Sequence, residues 1–222
     1  MALIIFDCDG TLIDSQHNIT AAMTYAFKAH DLAAPGRKQI LGIVGLSLAE
    51  AFDVLAPQSE EHVRRSLAEH YREAFGRGVL QRGTEPLYPG ISEIVTALRA
   101  RDDTLLGIAT GKSRRGVARV LAEQGWEGAF VTIQTADDHP SKPHPSMILT
   151  ALAETGVDPE RTMMIGDTTF DMEMALNARV RALGVGWGYH ATERLAHAGA
   201  HDIVDDAAQL AAGIEAFLGM AR

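Results

Sequence analysis

Two aspartates, Asp7 and Asp9, directly follow the apolar run 2–6. A short apolar run that ends on acids predicts a buried strand that brings carboxylates to the edge of a sheet. Because side chains alternate along a strand, we expect Asp7 and Asp9 on one face and Cys8 on the other. Two carboxylates so close repel each other unless a cation lies beside them, and Gly10 leaves room for a ligand against the backbone. The stretch therefore predicts an acidic, ligand-binding strand end.

Further polar residues follow later apolar runs or lie in the loops between them. They are Thr110 with Gly111 after the run 105–109, Lys142 in a loop that contains three prolines, and Asp167 with Asp171 after the run 162–165. Taken alone, each has an ordinary explanation: Asp167 suits the start of a helix, and most lysines are solvated surface charges. Ligands of parallel sheets, however, bind beyond the carboxyl ends of the strands. The coincidence of four such places in one chain favours a single site.

The residue types at these places indicate which ligand the site binds. Asp7, Asp9 and Asp167 offer hard oxygen ligands, which suit Mg²⁺. The sequence has no cluster of cysteine and histidine that would favour zinc. Asp171 lies four residues after Asp167, so at a helix start the two share one face. Lys142 is the candidate cation for a phosphate. The set predicts a magnesium site next to an anion site.

The elements that position these residues fall into two groups. Between about 15 and 83, apolar residues recur at helical spacing and no strand pattern appears, which predicts three or four helices. After residue 88, strands alternate with helices. Strands are predicted at 2–6, 105–109, 130–135, 162–165, 182–185 and 203–204. Pro145 is predicted at the first position of a helix. This alternation predicts an α/β fold with a doubly wound, Rossmann-like parallel sheet.

The predicted domain division follows from these two groups. Residues 1–14 and 84–222 are expected to form the α/β core domain, and residues 15–83 a small α-helical cap domain inserted after the first strand. Within the insert, the segment 42–45 has two glycines before a predicted helix, which permit a close approach to the core. That segment is the candidate lid over the site, although a plain connection between helices is the alternative.

Composition excludes several classes of partner. The chain has 222 residues, 46% of them hydrophobic, and a formal net charge of -9. Such a charge argues against nucleic acid and anionic membrane surfaces, which select basic patches. The single cysteine, Cys8, excludes an internal disulfide, and the sequence contains no signal peptide or run of about 20 apolar residues. We expect a soluble cytoplasmic protein, as a monomer or homodimer.

The motif Asp7–Thr11 resembles the first motif of the haloacid dehalogenase superfamily, Asp-x-Asp-Gly-Thr. Three later motifs match in the same order: Thr110, Lys142, and Gly-Asp-x-x-x-Asp at 166–171. The resemblance covers essentially the whole chain, and the helical insert resembles the cap domain of the family. The stretches 9–15, 88–91 and 186–190 are similar to those of phosphoglycolate phosphatases. One departure is Arg179, where these relatives usually have glycine.

This resemblance implies a magnesium-dependent phosphatase that acts on a small phosphorylated metabolite, similar to phosphoglycolate. Asp7 would be the nucleophile that forms an aspartyl-phosphate, and Asp9 the general acid and then the general base. Mg²⁺ would be held by Asp7, the backbone carbonyl of Asp9, and Asp167. Thr110 and Lys142 would bind the phosphoryl oxygens, and Asp171 would orient Lys142 or a metal-bound water. Gly10, Thr11 and Gly111 are implied as supporting residues.

Alternative functions remain open at this point. A sugar-phosphate mutase similar to β-phosphoglucomutase would use the same core and the same Asp7. A phosphonatase would need a reactive amine in the insert, where Lys28 and Lys38 have no supporting context. A binding protein without catalysis is disfavoured because Asp7, Asp9, Lys142 and Asp167 are all present. His190, in the glycine-containing loop 186–190, is a further candidate for the site.

Overall fold

The computed structural model describes residues 1–76 and 85–220. Six parallel strands form one sheet in the order β3-β2-β1-β4-β5-β6. The strands are β1 (Ala2–Phe6), β2 (Thr104–Thr110), β3 (Thr132–Thr135), β4 (Thr162–Gly166), β5 (Arg181–Val185) and β6 (Asp202–Val204). Phe6 is in register with Ile108 of β2 and Ile165 of β4, so these three strands end at the same rim. The predicted doubly wound parallel sheet is confirmed.

Ten helices and one short 3₁₀ turn lie in the described residues. They are α1 (Gln16–Lys28), α2 (Arg37–Leu41), α3 (Leu48–Leu55), α4 (Glu61–Gly76), α5 (Ile91–Arg99), α6 (Arg114–Gln124), α7 (Ser146–Thr155), α8 (Thr169–Asn177), α9 (Thr192–His197), α10 (Ala207–Met220) and the 3₁₀ turn Pro159–Arg161. None of the helices in 1–76 and 85–220 is long and apolar enough to cross a membrane.

The sheet is buried on both faces, which explains why β1 is apolar throughout. Ile4 and Phe6 pack into the cluster that includes residues of α5, α6 and α10. Leu3 and Ile5 point the other way, into the cluster that includes residues of α7 and α8. All four side chains are fully buried. Burial of side chains of this size stabilises a fold by roughly 1.5–3 kcal/mol each, so β1 is fixed firmly beneath Asp7.

The insert after β1 is helical, as predicted. Helices α1 to α4 occupy residues 16–76, and no strand occurs in that part of the chain. The insert has its own apolar cluster, which includes Ile19, Met23, Phe27, Phe52 and Leu67. The exact division at 14/15 and 83/84 remains a prediction, and residues 83 and 84 lie outside the described residues.

Three element boundaries differ slightly from the prediction. Strand β1 ends at Phe6, so the strict alternation of side chains does not extend to Asp9. Strand β3 begins at Thr132, not at Phe130, because a turn precedes it in which the Ala129 amide donates to the Trp126 carbonyl. Helix α7 begins at Ser146, one residue after Pro145. The strand end at Phe6 matters most, since it gives Asp7 and Asp9 different surroundings.

Candidate active site

Asp7 lies immediately beyond β1, at the centre of the rim. Its amide still donates to the Ile165 carbonyl at 2.9 Å, which extends the pairing with β4 by one residue. The chain then turns: the Leu12 amide donates to the Cys8 carbonyl at 2.9 Å, and Gly10 adopts a φ of +87°. Glycine is the residue that tolerates this conformation. The turn leaves the carboxyl group of Asp7 buried, with 1% of the residue exposed.

Lys142 is fully buried between two carboxylates. Its Nζ lies 3.0 Å from Oδ1 of Asp7 and 2.6 Å from Oδ1 of Asp171. Burial by itself lowers the pKa of Lys142, but Asp171 and Asp7 outweigh that effect and raise the pKa above its ordinary value. The lysine is therefore a fixed positive charge on the rim.

Asp171 is oriented by the first turn of α8. The Thr168 amide and hydroxyl donate to its Oδ2 at 3.0 and 2.7 Å, while the Asp171 amide donates to the Thr168 hydroxyl at 3.4 Å. This reciprocal arrangement is a capping box, which satisfies free donors at the start of a helix. It leaves Oδ1 of Asp171 for Lys142.

Asp167, directly after β4, is held by two different loops. Its Oδ1 accepts from the Thr11 hydroxyl at 3.0 Å, and its Oδ2 accepts from the Tyr189 amide at 2.8 Å. Two glycines make room for it, since a Cβ on Gly10 or Gly188 would lie 2.3 or 2.2 Å from atoms of its side chain. Burial raises the pKa of Asp167 well above its usual value, and the charges of Asp171 and Asp7 raise it further.

The residues at the rim fit a divalent cation. One carboxylate oxygen each from Asp7, Asp167 and Asp171 lies within 4.8 Å of the others, and all three residues are buried. Both oxygens of Asp7 lack a partner with hydrogen-bond geometry among the described residues. Burial raises the pKa of Asp7 to about 6, Lys142 opposes this, and Asp171 and Asp9 reinforce it. Oxygen donors with uncompensated negative charge are the ligands that Mg²⁺ prefers.

Asp9 has a separate partner, Lys112. The lysine Nζ lies 2.6 Å from Oδ1 of Asp9 and 3.3 Å from Oε2 of Glu85. Glu85 is almost fully buried and also pairs with Arg119 at 3.2 Å. The Asp9 carboxylate is therefore outside the group of three acids formed by Asp7, Asp167 and Asp171, so the shared face predicted for Asp7 and Asp9 does not give them a common environment.

Thr110 ends β2 next to Asp7, and Gly111 follows it. The Thr110 hydroxyl accepts from the Lys112 amide at 3.2 Å, and the same hydroxyl acts to lower the pKa of Asp7. Gly111 is a point of close approach, because a Cβ there would lie 2.7 Å from the Gly45 carbonyl oxygen. The loop between α2 and α3 thus lies directly over the end of β2.

This loop, residues 42–47, contacts the rim at several further points. The Ser47 amide donates to the Ser141 hydroxyl at 2.8 Å, next to Lys142 in the chain. Gly45 has a φ of +103°, and a Cβ on it would lie 3.3 Å from Oγ1 of Thr168. The Gly42 carbonyl lies 3.2 Å from Nε2 of His190. The structure thus brings the candidate lid segment to the site residues.

The structure therefore brings Asp7, Asp9, Thr110, Lys142, Asp167 and Asp171 to one rim, with Gly10, Thr11 and Gly111 around them. Sequence reasoning missed the importance of Glu85, Lys112, Thr168 and Tyr189. Lys112 could have been predicted as a site residue because it directly follows Thr110 and Gly111. Tyr189 could have been predicted because it lies in the glycine-containing stretch 186–190. Glu85 had no signal, since it lies in a stretch without periodicity.

Comparison with known proteins finds hydrolases and phosphatases as relatives of this chain. Residues 4–185 match the family described as haloacid dehalogenase-like hydrolase. The chain is 34% identical over 219 residues to the "Probable phosphatase IndB" of Dickeya dadantii, covering 97% of this chain and 94% of that protein. It is 28% identical to a phosphoglycolate phosphatase of Vibrio vulnificus, covering 94% and 93%. A predicted phosphatase from Clostridium acetobutylicum has a similar crystal structure, with a TM-score of 0.85, 25% identity and coverage of 96% and 97%.

Proposed function

The chain belongs to the haloacid dehalogenase-like hydrolase family, and from this premise we propose that it is a magnesium-dependent phosphatase. Its substrate would be a small organic phosphomonoester similar to phosphoglycolate, the substrate named for one relative. The observation that supports this function best is the state of Asp7. It is a buried carboxylate whose Oδ1 lies 3.0 Å from Nζ of the buried Lys142, and neither of its oxygens accepts a hydrogen bond of good geometry from the described residues.

Asp7 is the nucleophile in this proposal. One of its oxygens forms a bond to the phosphorus of the ester while the bond from phosphorus to the alcohol oxygen breaks, which gives an aspartyl-phosphate and an alcohol. Covalent catalysis of this kind divides one difficult displacement into two easier ones. Lys142 and the Thr110 hydroxyl, both beside Asp7, donate to the phosphoryl oxygens and stabilise their developing charge.

Asp9 is the general acid and then the general base in this proposal. It gives a proton to the leaving alcohol oxygen in the first step. In the second step it takes a proton from water while the water oxygen bonds to phosphorus and the bond from phosphorus to Asp7 breaks, which releases inorganic phosphate and restores both aspartates. Its position supports this role, since Lys112 holds it apart from the group of three acids at 2.6 Å. We therefore assign Asp9 to the leaving group and Asp7 to the bond with phosphorus.

The metal would be held by Asp7 and Asp167, with the backbone carbonyl of Asp9. Mg²⁺ supplies charge neutralisation for the acids and for the transferred phosphoryl group. Asp171 completes the buried group of three acids, and its contact with Lys142 at 2.6 Å supports a positioning role for it. Thr11 and the Tyr189 amide orient Asp167.

We also propose that residues 15–83 act as a cap over this site. The contacts of loop 42–47 with Gly111, Thr168 and Ser141 support a closed arrangement, in which the loop excludes water and forms one wall of the substrate chamber. Because the core supplies only the chemistry of the phosphoryl group, we assign selection among substrates to the residues on the leaving-group side.

The test compares the wild type with Asp7→Asn, which keeps the size and removes the charge. The wild type is expected to release phosphate from small phosphomonoesters with Mg²⁺, to lose this activity in excess chelator, and to regain it when the metal is added back. Asp7→Asn is expected to lose at least about a thousandfold in kcat, which is typical when a nucleophile is removed. Retained turnover in a folded variant would refute this role for Asp7. Release of an isomerised sugar phosphate instead of inorganic phosphate would favour the mutase alternative.

A further inference from the structure

Lys112 is a nearly buried cation that the proposed phosphoryl chemistry does not use. It lies in the loop between β2 and α6, and 9% of its side chain is exposed. Its Nζ lies 2.6 Å from Asp9 and 3.3 Å from Glu85. An ammonium group kept out of water in this way is costly unless it has charged partners, so its position is specified by the fold.

Glu85 does not depend on Lys112 for the balance of its charge. Arg119 lies 3.2 Å from its Oε2, and the side-chain amide of Asn18 donates to its Oε1 at 3.1 Å. Arg119 in turn lies 5.6 Å from the ring centre of Phe75 on α4. The charge of Glu85 is thus balanced by Arg119. Lys112 can therefore bind a further negative group besides Asp9 and Glu85.

The aliphatic part of the Lys112 side chain packs against Gly116, where there is no side chain in its way. A Cβ at Gly116, in the first turn of α6, would lie 2.8 Å from Cγ of Lys112 and 3.2 Å from its Cε. Any larger residue at 116 would push the stem aside. Gly116 and Glu85 therefore direct the ammonium group of Lys112 toward Asp9.

Asp9 marks the leaving-group side of the site, so whatever alcohol leaves there comes close to Lys112. The insert lies next to this group, since Phe75 of α4 contacts the Arg119 guanidinium that pairs with Glu85. Burial raises the pKa of the Tyr71 hydroxyl on α4, and the charge of Asp9 raises it further. Tyr71 and Phe75 contact each other on α4, with ring centres 5.3 Å apart. We call the space beside Asp9 that Lys112 borders the leaving-group compartment.

We propose that Lys112 is the specificity-determining residue of this compartment, and that it selects phosphomonoesters whose alcohol has a second anionic group, such as a carboxylate, near the ester oxygen. This inference rests on the proposed phosphatase function. A second anion gains a charge-assisted hydrogen bond from Lys112, whereas a neutral group of the same shape leaves the lysine with only its existing partners. Discrimination then comes from a positive charge that the fold holds 2.6 Å from Asp9, the residue proposed to protonate the leaving alcohol.

The test uses a pair of substrates with the same shape: 2-phosphoglycolate and the analogue in which a carboxamide replaces the carboxylate. For the wild type, we expect kcat/KM to be at least tenfold higher for the anionic substrate. Lys112→Met is expected to bring this ratio close to one, and Lys112→Arg to keep most of it. Arg115→Met removes an exposed cation from the first turn of α6, close to Lys112 in the chain, and is expected to leave the ratio unchanged.

The outcomes separate this inference from the proposed function. If the wild type hydrolyses no small phosphomonoester, the proposed function fails. If it hydrolyses both members of the pair equally well, or if Lys112→Met lowers both equally, the selective role of Lys112 fails and the phosphatase function stands. Should Lys112→Met not fold, Gly116→Val keeps the lysine but displaces its stem, and the ratio is expected to fall there too. An unchanged ratio in Gly116→Val would then overturn the inference.

Discussion

His190 donates a hydrogen bond from its Nε2 to the carbonyl oxygen of Gly42, at 3.2 Å and across 148 residues of sequence. The direction follows from the other ring nitrogen, because Nδ1 accepts from the Thr169 amide at 3.0 Å and so leaves the proton on Nε2. The imidazole thus joins the start of α8, which orients Asp171, to the loop of the insert that lies over the rim. We interpret His190 as the link that holds this loop closed.

Replacement of His190 by asparagine is predicted to weaken closure without disturbing α8. The shorter side chain retains an acceptor for the Thr169 amide but does not reach Gly42. Loss of the hydrogen bond to this partly buried carbonyl costs about 1–3 kcal/mol, so we expect kcat/KM to fall roughly tenfold or more. His190→Gln reaches farther and serves as the control that keeps the link. Equal kinetics for both variants and the wild type would show that the link is not used in turnover.

The same histidine predicts a dependence of stability on pH. Burial lowers the pKa of His190 from its ordinary 6.5, Arg194 adds to this, and Gly42 and Asp171 oppose it. Because the folded state prefers the neutral ring, its contribution is complete above pH 6.5 and is lost as the pH falls toward the lowered pKa. Urea unfolding at pH 8 and pH 5.5 should show a larger loss of stability for the wild type than for His190→Gln. An identical loss would assign the effect to other groups.

Gly45→Val is predicted to disturb the loop over the site. A Cβ at this φ of +103° is strained and would lie 3.3 Å from Thr168 Oγ1 and 3.4 Å from Phe170 Cδ2. We expect a loss of about 1–2 kcal/mol in stability and at least a tenfold loss in kcat/KM. Gly125→Val is the matched control, because Gly125 has a φ of +66° and nothing within 4 Å of a Cβ. It should lose stability only. Unchanged kinetics in Gly45→Val would show that the loop 42–47 does not contribute to the substrate site.

Lys142→Met is predicted to destabilise the fold strongly. It leaves Asp7 and Asp171 buried without their cation, and breaking a buried ion pair from one side costs about 3–5 kcal/mol. Adding Asp171→Asn removes one of the stranded charges and should restore part of the loss. The measurement is urea unfolding without metal, compared at equal m-values. A loss below about 1 kcal/mol would mean that the acids are neutralised in another way.

Arg179→Gly is predicted to stabilise the protein. Arg179 follows α8 with a φ of +60°, and its side chain is exposed, so it has the strain of a left-handed conformation without a compensating burial. Glycine relieves about 1–2 kcal/mol of backbone strain in the folded state. Part of this gain is lost because glycine also increases the conformational entropy of the unfolded chain. A gain of roughly 0.5–1 kcal/mol is therefore expected in thermal unfolding, with unchanged kcat/KM. A lower melting temperature would contradict this.

The sequence by itself determined the sheet, the helical insert and the rim on which the polar residues meet. Those features follow from local periodicity and from one geometric rule, that the carboxyl ends of neighbouring parallel strands lie together. Asp7, Thr110 and Asp167 each follow or end a strand, so their proximity required no knowledge of the loops. Lys142 was predicted to join them, and it lies 3.0 Å from Asp7.

Only the tertiary structure decided how the acids are divided between partners. Lys112 contacts Asp9 and so separates the surroundings of Asp9 from those of Asp7, and His190 contacts Gly42. These contacts connect loops that are distant in sequence and have no periodic pattern. Loop conformations depend on glycine turns, caps and burial that act together once the insert lies on the core. A side chain such as Glu85 becomes buried and paired through that closure, and its charge alone predicts an exposed position.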